Sequence, residues 1–136
     1  MFTPKIILKS VYLLIVIVLM GLFIAGCSQG GSYKLIMGDI HAGEDNIKGS
    51  YSSFSGNYYK KVRLNKNTKI YLELTAETET GLITAQLIDP EENKIFEIKE
   101  GSQKKKLIKE SGKYKIKVVG EDHNGSFELR WEERNE

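Results

Sequence analysis

Apolar and polar positions alternate with a period of two through four separate stretches of the chain. Val62 and Leu64 alternate with Lys61 and Arg63, and Ile70, Leu72 and Leu74 with Tyr71, Glu73 and Thr75. Tyr114, Ile116 and Val118 alternate with three lysines, and Phe127, Leu129 and Trp131 with Glu128, Arg130 and Glu132. Successive side chains of a strand point to opposite faces, so each stretch predicts a strand with one buried face. Turn-forming residues separate the stretches: Gly56-Asn57, Asn65-Lys66-Asn67, Gly81, Asp89-Pro90, Ser111-Gly112 and Asn124-Gly125. The pattern predicts eight or nine short strands, over about 33–40, 50–54, 58–65, 69–78, 82–89, 94–98, 105–109, 113–120 and 126–132. Many short strands with one apolar face each make an all-β fold, a single antiparallel sandwich. A small closed barrel would show the same alternation and is the alternative.

The first 27 residues follow a different rule. Lys5 and Lys9 precede an uninterrupted apolar run from Val11 to Ile24, and small residues Ala25 and Gly26 lead to Cys27. A basic start, an apolar centre and small residues at the end are the three parts of a secretory signal, here expected to be helical. The run is shorter than the roughly 20 residues that a spanning helix usually needs. Ile24-Ala25-Gly26-Cys27 resembles the lipobox of bacterial lipoproteins. The resemblance implies cleavage between Gly26 and Cys27 and a covalent diacylglycerol on the Cys27 thiol. It also implies an extracytoplasmic protein held on the bacterial cell membrane. Two or more acyl chains anchor stably where one does not. The expected organisation is a signal peptide over 1–26, a lipidated cysteine and flexible Gly/Ser tether over 27–32, and a β-sandwich over 33–136.

Composition narrows what the exported part does. Cys27 is the only cysteine, so the domain has no disulfide and no thiolate metal ligand. Of the 20 Lys and Arg, Lys5 and Lys9 belong to the leader, and the remainder balance the 18 Asp and Glu. A domain without net positive charge is a poor candidate for nucleic acid.

The order of strands in the C-terminal two-thirds ends on Gly112-Lys113-Tyr114-Lys115-Ile116-Lys117-Val118 and Gly125-Ser126-Phe127-Glu128-Leu129. This resembles the jelly-roll sandwiches of the pre-peptidase C-terminal type, appended to secreted bacterial proteases. The resemblance implies a jelly-roll-like sandwich and a non-catalytic accessory role, with substrate or calcium bound in some members.

Four groups of residues are candidates for chemistry. Two segments share Gly-Glu-Asp followed by Gly-Ser-aromatic, placing Glu44 and Asp45 in one turn and Glu121 and Asp122 in the other. Hard cations take oxygen ligands from such turns, so calcium bridging the two is one reading and ordinary acidic turns the other. His41 and His123 are the only imidazoles, and a small metal-dependent or hydrolytic enzyme would use them with those acids. No Gly-x-Ser-x-Gly or His-Glu-x-x-His motif accompanies them. Tyr51, Phe54, Tyr58 and Tyr59 stand among Ser, Gly and Asn, a composition suited to sugar rings or a protein partner. Lys104, Lys105, Lys106 and Lys109 would form one basic face with Lys113, Lys115 and Lys117 if a hairpin at Ser111-Gly112 joined their strands.

The sequence therefore favours a membrane-anchored, non-catalytic module for an envelope polymer or protein partner. The enzyme is the alternative, and it requires His41, His123 and the acidic turns to converge in one pocket. We expect Cys27→Ser to abolish lipid attachment and leave an unprocessed precursor, read by mass spectrometry of the N-terminus. An unmodified Cys27 within an intact leader would exclude the anchor.

Overall fold

The computed structural model describes residues 4–24 and 28–135. Gly26 and Cys27, the expected cleavage and lipidation positions, lie outside them. The described chain is one helix, α1 (Pro4–Ile24), followed by seven strands. These are β1 (Gln29–Gly30), β2 (Tyr33–Ala42), β3 (Asn46–Leu64), β4 (Lys69–Ile88), β5 (Lys94–Lys99), β6 (Ser102–Leu107) and β7 (Gly112–Arg134). Leu8, Tyr12 and Leu14 of α1 are exposed, and none of the core residues comes from this helix. Among the described residues no helix is long and apolar enough to cross a membrane.

All strand pairs are antiparallel, and β7 lies between β3 and β4 along most of its length. β3 and β4 follow one another through the 65–68 turn but do not pair with each other. The N-terminal half of β3 pairs with β2, and its C-terminal half with β1. In the same way β4 pairs first with β6 and then with β5. The three long strands thus each run through two layers. One layer has the order β2, β3, β7, β4, β6, and the other β1, β3, β7, β4, β5. No strand pairing joins the β1/β2 edge to the β5/β6 edge, so the sheet is open and the barrel is not formed.

The expected short strands differ from these in number and length. Segments 50–54 and 58–65 are one strand, as are 69–78 and 82–89, and 113–120 and 126–132. The turn residues between them bend the strands without ending them. Register shifts occur together at Tyr51–Gly56 of β3 and Thr78–Leu82 of β4, both against β7. An extra residue bends a strand and sharpens its twist while pairing resumes beyond it. Gly81 (φ +84°) and Gly125 (φ +143°) take backbone angles that a Cβ would oppose, and a Cβ on either would press on the carbonyl of the neighbouring strand. Asp122, also at the bend, is left-handed at φ +46°. Its N–H donates to Ser55 Oγ at 3.1 Å, and Ser55 Oγ donates back to Asp122 Oδ1 at 2.9 Å, which pins β7 to β3 at the bend.

One core fills the space between the layers. Ile47, Ile70, Leu72, Leu74 and Leu129 come from one layer, and Ala85, Leu87, Ile98, Ile116 and Val118 from the other. Side chains in register form rows across the strands: Ile47, Leu129 and Leu74 in the first layer, Tyr58, Val118, Ala85 and Ile98 in the second. Burying one such aliphatic side chain contributes about 1.5–3 kcal/mol. At the bend the filler is aromatic. Phe54 stacks on Phe127 with centroids 6.4 Å apart, and Tyr51 and Tyr33 lie 5.4 and 6.0 Å from Phe54. Gly120 leaves room for the Phe54 ring, since a Cβ there would overlap it.

Lys60 is an exception to the apolar interior. It stands in register with the buried Ile116 and so faces inward, yet its ammonium reaches the opposite layer. There it donates to the carbonyls of Gly43 and Glu44 and sits 6.0 Å above the Trp131 ring.

Trp131 is 8% exposed and in register with Leu72, on the buried face that the alternation assigns to it. We expect Trp131→Ala to destabilise the domain by about 3–5 kcal/mol, the usual range for a large aromatic truncated in a core. Thermal or urea unfolding checks this, and a midpoint that hardly moves would place the indole outside the core.

Candidate functional site

The two histidines do not meet. His41 is in register with Lys48 of β3 and His123 with Phe54, six residues further along that strand. At about 3.3 Å per residue this is roughly 20 Å. His41 is exposed at the β2 edge, with Nδ1 3.8 Å from Asp39 Oδ2. His123 is completely buried. Its Nδ1 lies 2.7 Å from the Tyr51 hydroxyl, and its Nε2 lies 2.7 Å from Thr78 Oγ1. Thr78 Oγ1 donates to Glu100 Oε2 at 2.5 Å. Because the threonine proton goes to Glu100, Thr78 accepts from His123, which therefore carries its proton on Nε2. Nδ1 is then the acceptor of the Tyr51 hydroxyl. The donors run from Tyr51 through His123 and Thr78 to Glu100. This direction is opposite to a nucleophile–base pair, in which the ring would accept the hydroxyl proton of Thr78. The chain satisfies a polar group at the bend, where an unpaired one would cost about 1–3 kcal/mol.

The acidic segments are also far apart. Glu44 and Asp45 form the β2–β3 turn, where the Asp45 carbonyl accepts Trp131 N–H at 3.1 Å. Glu121 and Asp122 stand at the bend of β7, nine residues or more before Trp131, and Asp122 is engaged with Ser55. One ion cannot touch both segments. Among the described residues no group of three or more His, Cys, Asp or Glu side chains is placed to hold a metal ion.

The aromatic segment is core, not a ligand platform. Phe54 is fully buried, and Tyr51 and Tyr58 expose less than a tenth of their surface. Burial raises the Tyr51 and Tyr58 hydroxyls above their ordinary range. Only Tyr59 keeps an outward position, with the Lys115 ammonium 4.8 Å over its ring. The basic face also divides. β6 pairs with β4 and not with β7, so Lys104–Lys106 belong to one layer and Lys113, Lys115 and Lys117 to the other. Lys104 and Lys106 have the inward parity of Leu72 and Ile70, and Lys104 lies 5.3 Å over the Phe96 ring.

The site that the structure does form is a groove on the outer face of the first layer. It has a volume of about 600 Å³ and crosses β6, β4 and β7, with Asp45 at one end. Register arranges its side chains in two cross-strand rows. Gln103, Glu73 and Arg130 make one, and Lys105, Tyr71 and Glu132 the other. The Arg134 guanidinium covers the Tyr71 ring at 4.3 Å and donates to Glu132 at 2.9 Å. That hydrogen bond holds the Glu132 carboxyl below its usual range and raises Arg134 further. Acids and bases are balanced along the groove, so it offers donors and acceptors alternately around one flat ring.

Of these groove residues the sequence singled out only Asp45, in an acidic turn, and Lys105, in a lysine run; the others stood out only as the polar side of an alternating strand. The available signal was Tyr71, an aromatic at a position where its neighbours Glu73 and Thr75 face solvent.

The molecule is an antiparallel β-sandwich with an open polar groove on one face. No family model matches the chain, and no curated protein matches it. Among solved structures it is similar to the enzymatically active domain of tailspike protein 4 of bacteriophage CBA120, at 10% identity and a TM-score of 0.47. That match covers 78% of this chain, which spans 19% of the tailspike chain. It is also similar to Aeromonas hydrophila PliG, a periplasmic inhibitor of g-type lysozyme, at 12% identity and a TM-score of 0.42, covering 79% and 89% of the two chains. A third is TmCBM61 in complex with β-1,4-galactotriose, at 19% identity and a TM-score of 0.40, covering 76% and 86%.

The buried ring of His123 gives a measurable pH dependence. Burial lowers its basicity below the ordinary value of 6.5, with the Glu100 carboxylate opposing more weakly. The unfolded chain exposes the ring at that ordinary value, so below about pH 6.5 protons favour the unfolded chain. The stability contributed by the neutral ring is present above that pH and is lost as pH falls toward the folded value. We expect the melting temperature to drop between roughly pH 7 and pH 5, with a shallower slope in His123→Gln. Melts across this range check it, and equal slopes would mean that His123 is not the group responsible.

Proposed function

We propose that the protein is an extracytoplasmic lipoprotein, anchored to the bacterial membrane through Cys27, that presents a non-catalytic β-sandwich for binding an envelope polymer. The Tyr71 groove is the binding site in this reading. One observation supports it above the others: an open groove with one aromatic ring, flanked in register by Glu, Gln, Arg and Lys. Saccharide hydroxyls both donate and accept, and this lining meets both needs. The apolar face of a sugar ring packs on a tyrosine at little entropic cost, and on Tyr71 it would take the place of the Arg134 guanidinium. A long open groove takes a chain passing over it, whereas a small substrate would need an enclosed pocket.

The hydrolytic alternative required the histidines and acidic turns to converge, and they are separated as described above. The lipobox and the leader support the anchor, and the acyl chains on Cys27 would supply it without any spanning helix.

Tyr71→Ala is expected to weaken binding of isolated envelope polysaccharide about tenfold or more, the loss of one aromatic contact of about 1–3 kcal/mol. The melting temperature should change little, because Tyr71 lies on the outer face. Co-sedimentation with purified cell-wall material and with its extracted polysaccharide measures this. Unchanged binding in Tyr71→Ala and in Glu73→Ala would remove the groove from the reading.

A further inference from the structure

The outer face of the second layer has a charge pattern unlike the rest of the molecule. β3 presents Lys61 and Arg63 there, and β7 presents Lys113, Lys115 and Lys117. Like charges stand directly opposite each other: Lys61 faces Lys115, and Arg63 faces Lys113. Lys94 and Lys99 extend the same face on β5. Two carboxylates answer them among the described residues. Glu92 pairs with Lys115 at 2.7 Å and Glu97 with Lys94 at 3.3 Å. The neighbouring ammonium groups of Lys115, Lys117 and Lys61 all hold the Glu92 carboxyl down. Asp89 is occupied in its own turn, accepting the N–H groups of Glu91 and Asn93.

Folding alone does not account for this. Like charges directly opposite destabilise a strand pair. Lysines do protect exposed sheet edges, but Lys113, Lys115 and Lys117 belong to β7, the central strand of both layers, and the Lys61 N–H on β3 is already bonded to the Ser28 carbonyl. The groove face of the first layer, by contrast, has its acids and bases in balance.

The segment that leads from the leader lies against this same layer. It is not the flexible coil that its Gly/Ser composition predicts. Gln29 and Gly30 pair with Lys60 and Tyr59, the Ser32 carbonyl accepts Asn57 N–H at 3.0 Å, and the Ser28 carbonyl accepts Lys61 N–H at 2.6 Å. The Tyr58 hydroxyl adds a hydrogen bond to Gln29 Oε1 at 2.8 Å. Cys27 immediately precedes this strap in the chain, and the strap's first residue, Ser28, lies beside Lys61.

We propose that the Lys61–Arg63–Lys113–Lys117 face docks on the anionic leaflet of the membrane that holds the protein. Its partners there are lipid phosphates, and the sandwich lies flat with the Tyr71 groove turned away from the bilayer. The choice of the leaflet over other polyanions rests on the anchor reading above. The strap fixes which face meets the lipid, because an anchor at Cys27 holds the β1 edge of the second layer at the surface. Basic side chains within a Debye length of an anionic surface are attracted to it, and the attraction is lost in high salt.

The test uses the full-length protein as cells produce it, reconstituted with vesicles of phosphatidylcholine alone or with phosphatidylglycerol. Flotation reports attachment, and amine labelling read by mass spectrometry reports which lysines are covered. We expect Lys61, Lys113 and Lys117 to label several-fold more slowly on anionic than on neutral vesicles, with Lys48 and Lys105 unchanged. High salt should abolish the difference, as should the combined variant Lys61→Glu, Lys113→Glu and Lys117→Glu. Equal labelling on both vesicles, with the protein floating on both, overturns docking and leaves the anchor intact. Flotation on anionic vesicles alone removes the anchor and keeps the docking face. Protection by soluble polyphosphate without protection on anionic vesicles, or flotation on neither, overturns the proposal.

Discussion

Everything in this fold depends on three strands bending at one level. β3, β4 and β7 each cross from one layer to the other, and a straight strand of their length would leave half its apolar face in water. The bend works because the two registers slip together, at Tyr51–Gly56 and Thr78–Leu82 against β7. Gly81 and Gly125 supply the backbone angles, and the Ser55–Asp122 pair holds the central bulge. The corner is then filled by Phe54, Phe127 and Tyr51, with Gly120 giving way to the Phe54 ring.

The same corner explains why a fully buried histidine sits in a small domain without disulfides. Strand pairing is interrupted there, and polar groups need partners. The Tyr51–His123–Thr78–Glu100 chain leads them outward in a single donor direction. Among the described residues no buried side-chain nitrogen or oxygen lacks a partner. A residue type that suggests catalysis in a sequence is here a structural spacer with a specified tautomer.

Sending each long strand through both layers also gives the molecule two unlike outer faces. The polar positions of β4 and β7 in the first layer hold the balanced groove around Tyr71, whereas those of β3 and β7 in the second hold the lysine rows. One strand, β7, contributes Arg130, Glu132 and Arg134 to one face and Lys113, Lys115 and Lys117 to the other. The balanced groove and the lysine rows are therefore separated by the thickness of the core.

Alternation by itself determined the all-β architecture and the core positions of four stretches, because the two-residue period of a strand is local and survives any packing. It placed Ile70, Leu72, Leu74, Ile116, Val118, Leu129 and Trp131 inward, where they are found. The resemblance of Ile24-Ala25-Gly26-Cys27 to a lipobox is equally local, and the anchor proposed from it rests on those residues alone. Tertiary structure decided the rest. Whether Gly56, Gly81 and Asn124-Gly125 end a strand or bend it depends on whether a neighbour resumes pairing beyond them, which no local pattern records. The aromatic run from Tyr51 to Tyr58 went to the core because the corner between the layers needed filling. The lysines of β6 and β7 parted because β6 pairs with β4, a contact between strands distant in sequence. The groove became visible only when that pairing brought Gln103 and Lys105 beside Tyr71 and Glu73, with Arg130 and Glu132 on the other side.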